Sequence, residues 1–341
     1  MSVEFDDRLA ATLRQHAGGA VDAAALVAGA RRRGAGIRRR RALGWVGAVV
    51  LGVCAGVAVL SRPATTHQWA TSALPVALPG QGAQQHPAAV GTDPGVLHFT
   101  ADALVAGADT VSWSAGRGTE TVEFRGPDRQ GRLTLARDAA ALDGLRQTLA
   151  SSGQPGAPAE VAVAGRAGTV TRDPGVGGPD LWILRWEPVG GVRARLDMYA
   201  ADSTAVMAAA GEVRFDGGLR CAVPFRLTVL PAGARVRQCS VGFDRASGPF
   251  SEGSLVVGDD QGRWLTVRAQ RSEHGDGRAG TITAGPWTAR RQGSGILETF
   301  VHPGQVEVFF DGLGEGYAET DAVAVLSGYT PADDVNDPGS W

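Results

Sequence analysis

The chain has no lysine and, among 341 residues, a single asparagine, Asn336. All of its basic side chains are therefore arginine, a bias typical of high-GC bacterial genes. Cysteine is scarce. Cys54, Cys221 and Cys239 are the only three, and no Cys-x-x-Cys or Cys/His spacing points to zinc. The six histidines (His16, His67, His86, His98, His274, His302) form no His-x-x-x-His pattern, and Glu273-His274-Gly275-Asp276 reads as a polar turn. A serine elbow of the Gly-x-Ser-x-Gly type is missing, since Pro249-Phe250-Ser251-Glu252-Gly253 lacks the first glycine. No glycine pattern of the Walker or Rossmann kind follows a strand and opens a helix. Asp259-Asp260-Gln261-Gly262 has turn chemistry, without the alternating carboxylates of a calcium loop. These absences leave no catalytic, cofactor-binding or metal-ligating residue to name, and the expectation is a protein that is not an enzyme and carries no cofactor.

Long hydrophobic runs are also lacking, with one exception. Residues 42–60, ALGWVGAVVLGVCAGVAVL, contain no charge and follow directly on Arg38-Arg39-Arg40-Arg41. At about 1.5 Å per residue a helix of this length nearly matches a hydrocarbon core ~30 Å thick, and lipid leaves an isolated span no other way to satisfy its backbone. The seven arginines at 31–33 and 38–41 precede the run, while only Arg62 closely follows it. By the positive-inside rule the N-terminus stays cytoplasmic and the rest lies outside the membrane. The expected localisation is thus the cell membrane, as an uncleaved single-pass signal anchor. Two processing routes compete with this: cleavage after the weak small-residue site Gly56-Val57-Ala58, and lipidation of Cys54 in the faint lipobox Leu51-Gly52-Val53-Cys54. Gly44, Ala48, Gly52 and Gly56 recur every fourth residue, which aligns small side chains on one face and predicts a parallel homodimer through the span. Plain glycine richness, with 49 glycines in the chain, gives the same pattern.

Charge divides at the membrane. Residues 1–41 hold nine Arg against Glu4, Asp6, Asp7 and Asp22, or +5, so with a total of −2 the remainder carries −7. The basic excess belongs to the bilayer surface, and no nucleic-acid partner is expected. Phe5, Leu9 and Leu13 mark one short helical stripe and Leu26 and Val27 a second. These residues 1–41 form either a contact for a cytoplasmic protein partner or a passive basic tail that sets topology. Residues 61–96, with Pro63, Pro75, Pro79, Pro87 and Pro94, read as a Pro/Ala-rich linker. Cys221 and Cys239 then fall in the exterior, where disulfides persist, and are expected to pair.

From Leu97 the texture changes to short strand-like runs between turns, and the chain repeats itself. Residues 165–171 (GRAGTVT) recur as 277–283 (GRAGTIT). Gln130-Gly131-Arg132 recurs as Gln261-Gly262-Arg263, and Ala106-Gly107-Ala108 as Ala232-Gly233-Ala234. Helix candidates at 203–212 and 320–327 close the two series. The predicted fold class is α+β: one transmembrane helix followed by a duplicated antiparallel-sheet-plus-helix exterior, with repeats at 97–215 and 216–330 and a tail at 331–341. Alternation in Leu181–Trp186 puts Trp182, Leu184 and Trp186 on one face. Trp182 and Trp186 are either a candidate ligand face or large core fillers.

The basic helical start, the single span, the proline-rich stalk and the β-rich exterior resemble actinobacterial single-pass membrane proteins of anti-sigma-factor-like organisation. The carriers are residues 5–14, Arg38–Arg41 and 42–60, and the likeness is architectural. The zinc motif His-x-x-x-Cys-x-x-Cys of that family is absent. Residues 224–233 (PFRLTVLPAG) are similar to a stretch of small curved-sheet domains distantly akin to the periplasmic lipoprotein-carrier fold. The resemblance implies a regulator whose exterior senses or binds something and whose cytoplasmic helices relay its state to a partner such as a sigma factor. The alternative is an envelope structural or lipid/glycan-binding protein with no signalling role.

Overall fold

The computed structural model describes residues 75–143, 155–174, 179–244, 248–272, 280–301, 304–310 and 316–341. All fall in the compact unit His67–Trp341. The expected cytoplasmic segment at 1–41, the expected span at 42–60 with its face Gly44, Ala48, Gly52 and Gly56, and residues 61–74 of the expected linker lie outside the described residues, whereas residues 75–96 of that linker are part of the folded unit. Among the described residues no helix is long and apolar enough to cross a membrane.

In chain order, a strap carrying β1 (Ala77–Pro79) and β2 (Val96–Leu97) leads through the one-turn α1 (Asp102–Val105) into a meander. The meander is β3 (Thr110–Gly116), β4 (Thr119–Arg125) and β5 (Gln130–Ala136). After α2 (Ala139–Asp143) come β6 (Ala159–Val163), β7 (Arg166–Asp173), β8 (Asp180–Val189) and β9 (Val192–Ala200), followed by α3 (Ser203–Gly211). Two short strands, β10 (Gly217–Arg220) and β11 (Phe225–Leu227), precede a second meander of β12 (Arg235–Asp244), β13 (Gly248–Gly258) and β14 (Trp264–Arg271). Then β15 (Ile282–Ala284), β16 (Trp287–Gln292), β17 (Ile296–Val301) and β18 (Gly304–Phe309) run back to it, and α4 (Glu319–Ser327) and β19 (Tyr329–Pro331) close the fold.

The large sheet has fourteen strands in the order β15-β16-β17-β18-β14-β13-β12-β3-β4-β5-β9-β8-β7-β6. Read outward from its centre, each half has the same connectivity: three meander strands, then the last strand of the half, then the earlier ones in reverse. All pairings within it are antiparallel.

The predicted fold class is therefore corrected. The described residues are mainly β, and the exterior is not two sheets each closed by a helix. β3 and β12 pair in continuous register from Gly116↔Gln238 to Thr110↔Asp244, which fuses the halves into one sheet. Each half offers a free meander edge at that point, and pairing the two satisfies backbone donors and acceptors that would otherwise be exposed. Helix is a minor component, since α3 and α4 have nine residues each. The seven-residue sequence match falls on non-equivalent strands. The first copy forms the turn and start of β7, whereas the second leads into β15, which occupies the place of β6 in its half.

One face of the sheet is apolar and covered. Alternation places Val122 and Phe124 of β4, Leu133 and Leu135 of β5, Leu196 of β9, Val241 of β12 and Val267 of β14 in a single core, with α3, α4 and the strap on top. Asp202 caps α3 by accepting from the Ala205 N–H at 2.9 Å, and Asp321 accepts from the Ala318 N–H at 3.1 Å at the start of α4. The other face is polar.

Candidate binding face and its buried anchor

On the polar face, cross-strand partners line up into a row across the middle of the sheet. Ser254, Ser240, Ser114, Thr121 and Thr134 are successive register partners on β13, β12, β3, β4 and β5. The hydroxyls of Thr121 and Thr134 are 3.2 Å apart. Arginines flank this hydroxyl strip: Arg268 of β14 on one side and Arg195 of β9 on the other. The Arg195 guanidinium is buried, donates to Asp197 at 2.7 Å and to the Leu142 carbonyl at 3.0 Å, and so fastens α2 onto the face. Beyond Arg268, the carboxylates of Glu298 and Glu307 are neighbours in register. Two like charges side by side repel, and each is offset by its own arginine, Arg290 at 2.8 Å from Glu298 and Arg268 beside Glu307.

Two troughs open on this face. One, of about 520 Å³, lies below α2 and is walled by Leu142, Glu160, Thr169, Arg185, Glu187 and Arg193. The other, of about 270 Å³, sits where the halves meet and is lined by Ser112, Glu123, Arg125, Asp244 and Glu252. Asp143 lies against Arg185, whose hydrogen bond and charge hold its carboxyl below the usual range. Among the described residues no group of three or more His, Cys, Asp or Glu is placed to hold a metal ion.

At the far end of β12, Asp260 accepts from Arg237 at 2.6 Å and Arg235 at 3.0 Å, and the Arg237 hydrogen bond together with both positive charges depresses its pKa. A carboxyl depressed on folding adds stability above its unfolded pKa of about 3.9 and loses it as pH falls through the folded value. Wild type is therefore expected to exceed Asp260→Asn in urea stability at neutral pH, by a small margin because the pair is exposed. The difference should begin to shrink as pH drops below about 4 and vanish once pH is below the depressed pKa of folded Asp260.

The tryptophans singled out from the sequence face the other way. Trp186 is buried, and Trp182 packs against the same core and donates its indole N–H to the Ala200 carbonyl at 3.2 Å. Trp186 also borders the 520 Å³ trough. Cys221 and Cys239 are joined, with their Cα atoms 6.1 Å apart.

The most buried polar cluster was not singled out from the sequence. Glu120 is completely buried on the apolar side of β4, in the same alternation as Val122 and Phe124. Its carboxylate accepts three hydrogen bonds: from the Gly91 N–H at 2.9 Å, from the His98 N–H at 2.6 Å, and from the His98 ring at 2.6 Å through Nδ1. All three donors belong to the strap, so Glu120 anchors the strap to the sheet. A carboxylate in the core-facing phase of a strand is the one sequence signal that marks it.

No protein-family model and no curated protein matches the chain. Among solved structures it is similar to a crystal structure of MucB in complex with MucA(peri), at 15% identity over 68% of this chain and 96% of that one, with a TM-score of 0.21. It is also similar to the Pseudomonas aeruginosa MucA/MucB complex, at 15% identity over 68% and 95% of the two chains, again with a TM-score of 0.21. An overlap this weak transfers neither fold nor partner, and neither match bears on an actinobacterial origin.

Proposed function

We propose that this chain is a membrane-tethered envelope regulator whose exterior unit binds a partner and whose residues 1–41 relay that state to a cytoplasmic protein such as a sigma factor. The observation that carries the placement is the charge-free run at 42–60 behind its arginines, and the Cys221–Cys239 bridge fits an oxidising exterior. Binding, rather than turnover, is supported by the polar face, which carries a row of hydroxyls and paired charges, partly covered by α2, with two troughs beside them. Tryptophans stacked on lipid or glycan lend the competing reading no support, because Trp182 and Trp186 belong to the core.

The placement is tested by fusing a reporter after Trp341. A periplasm-active reporter should report and a cytosol-active one should stay silent; the reverse result would end this reading. The relay is tested separately by co-purification from membranes. Full-length chain should retain a cytoplasmic protein that a chain lacking residues 3–33 loses, and recovery of no such protein would remove the relay while leaving the placement intact.

A further inference from the structure

Among the described residues, the fourteen-stranded sheet ends in two strands with a single neighbour each, β15 and β6. A free strand edge presents unpaired N–H and C=O groups, and folds blunt such edges by brevity, irregularity or a covering element. β15 is blunted chiefly by brevity, with three residues. The two ends are otherwise alike: a hydrogen bond shifted by one residue precedes each strand, from the Thr281 N–H to Ala289 and from the Gly156 N–H to Arg172, and a helix packs on each, α4 on β15 and α3 on β6. β6 is longer and regular. Its five residues pair with β7 in unbroken register from Ala159↔Val170 to Val163↔Arg166, it contains no proline, and Ala159, Glu160 and Ala162 are exposed.

The turn decides which groups face outward. Ala164 and Gly165 both have positive φ, 47° and 79°, which makes a two-residue hairpin loop closed by Val163 and Arg166 as a hydrogen-bonded pair. Hydrogen-bonded pairs alternate along an antiparallel ladder, so Val161 and Ala159 also bond inward to β7. The N–H and C=O groups of Glu160 and Ala162 are then directed away from the sheet. Glu160 stands on the polar face in register with Thr169 and, beyond it, Arg185, at the rim of the 520 Å³ trough. Val161 and Val163 point to the opposite, apolar face, where Val163 is buried.

We propose that β6 is a docking edge for an extended segment of a partner protein, which adds one more antiparallel strand to the sheet. Backbone pairing with Glu160 and Ala162 supplies the affinity, and the two faces supply the selectivity. The incoming strand places apolar side chains beside Val161 and Val163 and a basic side chain opposite Glu160, the outermost charge at this edge. The small side chains of Ala159 and Ala162 let the two backbones approach. This rests on the reading of the exterior as a binding unit and names the chemistry of what it binds.

The test uses full-length chain in detergent micelles and three labelled short peptides, followed by fluorescence anisotropy. One alternates valine and arginine, one alternates valine and glutamate, and one is the first with a central proline. The valine–arginine peptide should bind, and the other two should bind about tenfold more weakly or worse, the effect of one or two lost interactions. Ala162→Pro removes an outward N–H without touching the ladder to β7 and should weaken binding by about tenfold. Glu160→Arg, which leaves the backbone unaltered, should reverse the preference in favour of the valine–glutamate peptide. Unchanged binding by a folded Ala162→Pro chain, or an unreversed preference in Glu160→Arg, would overturn the proposal. If light scattering shows a dimer that Ala162→Pro turns into monomers, the occupant is a second copy of this chain, and the hetero-partner is overturned. Any of these failures alongside the expected reporter result would leave the membrane placement standing.

Discussion

Glu120→Ala is expected to destabilise the folded unit by roughly 3–5 kcal/mol, since several buried donors lose their acceptor at once and each costs about 1–3 kcal/mol. The carboxylate is fully enclosed, so no water takes over its role. Its removal strands the Gly91 N–H, the His98 N–H and the His98 ring in an apolar setting at once. For a unit of this size each kcal/mol shifts the thermal midpoint by about 2–4 °C, so a fall of roughly 6–20 °C follows. Glu120→Gln should lose less, because one amide oxygen still accepts, although the amide nitrogen then faces donors. Hydrogen exchange adds a positional check. The amides of Gly91 and His98 should lose protection first, while those of the β5–β9 ladder keep theirs. Urea melts of Glu120→Ala within experimental scatter of wild type would mean that the strap is held by something other than this anchor.

The sequence showed the strands better than their assembly. Thr119–Arg125 alternates cleanly, because a sheet buried on one side writes a period of two into its residues. That period says which side chains share a face and nothing about what covers the face, and the structure packs Trp186 in the core with Trp182 against it. The pairing of β3 with β12 joins residues more than a hundred positions apart, and no local pattern in Thr110–Gly116 or Arg235–Asp244 encodes it. The seven-residue match does not mark equivalent places, because its described residues fall on β7 in one half and reach β15 in the other. Glu120 left a trace, one carboxylate in the phase of Val122 and Phe124, but its partner His98 lies 22 residues away on an irregular strap and carries no signal of its own. The open edge at β6 was invisible for a different reason. Being last in a sheet is a property of the strand order, and Ala159–Val163 reads no differently from an interior strand.

Replacing Cys221 and Cys239 together with alanine should cost about 3 kcal/mol, the chain-entropy estimate for a closed loop of this order, here a sequence separation of 18. What the bridge connects makes the prediction sharper. Cys239 sits in β12, opposite Ala115 of β3, at the centre of the large sheet. Cys221 directly follows β10, and β10 is the middle strand between β1 and β2 of the strap. Its own N–H donates to the Gly95 carbonyl at 2.9 Å, and the neighbouring Arg220 N–H donates to Val76 at 2.7 Å. The disulfide and Glu120 are thus two separate fastenings of the same strap to the same sheet. Fastenings that share a load are not independent: once one is gone, the strap opens locally and the second stabilises less of it. A double-mutant cycle between Glu120→Ala and the Cys221→Ala/Cys239→Ala pair should therefore show a combined loss smaller than the sum, by about 0.5–3 kcal/mol, the range for coupled neighbours. Strict additivity in that cycle would mean that the strap does not open as a unit, and that the two contacts stabilise different parts of the molecule.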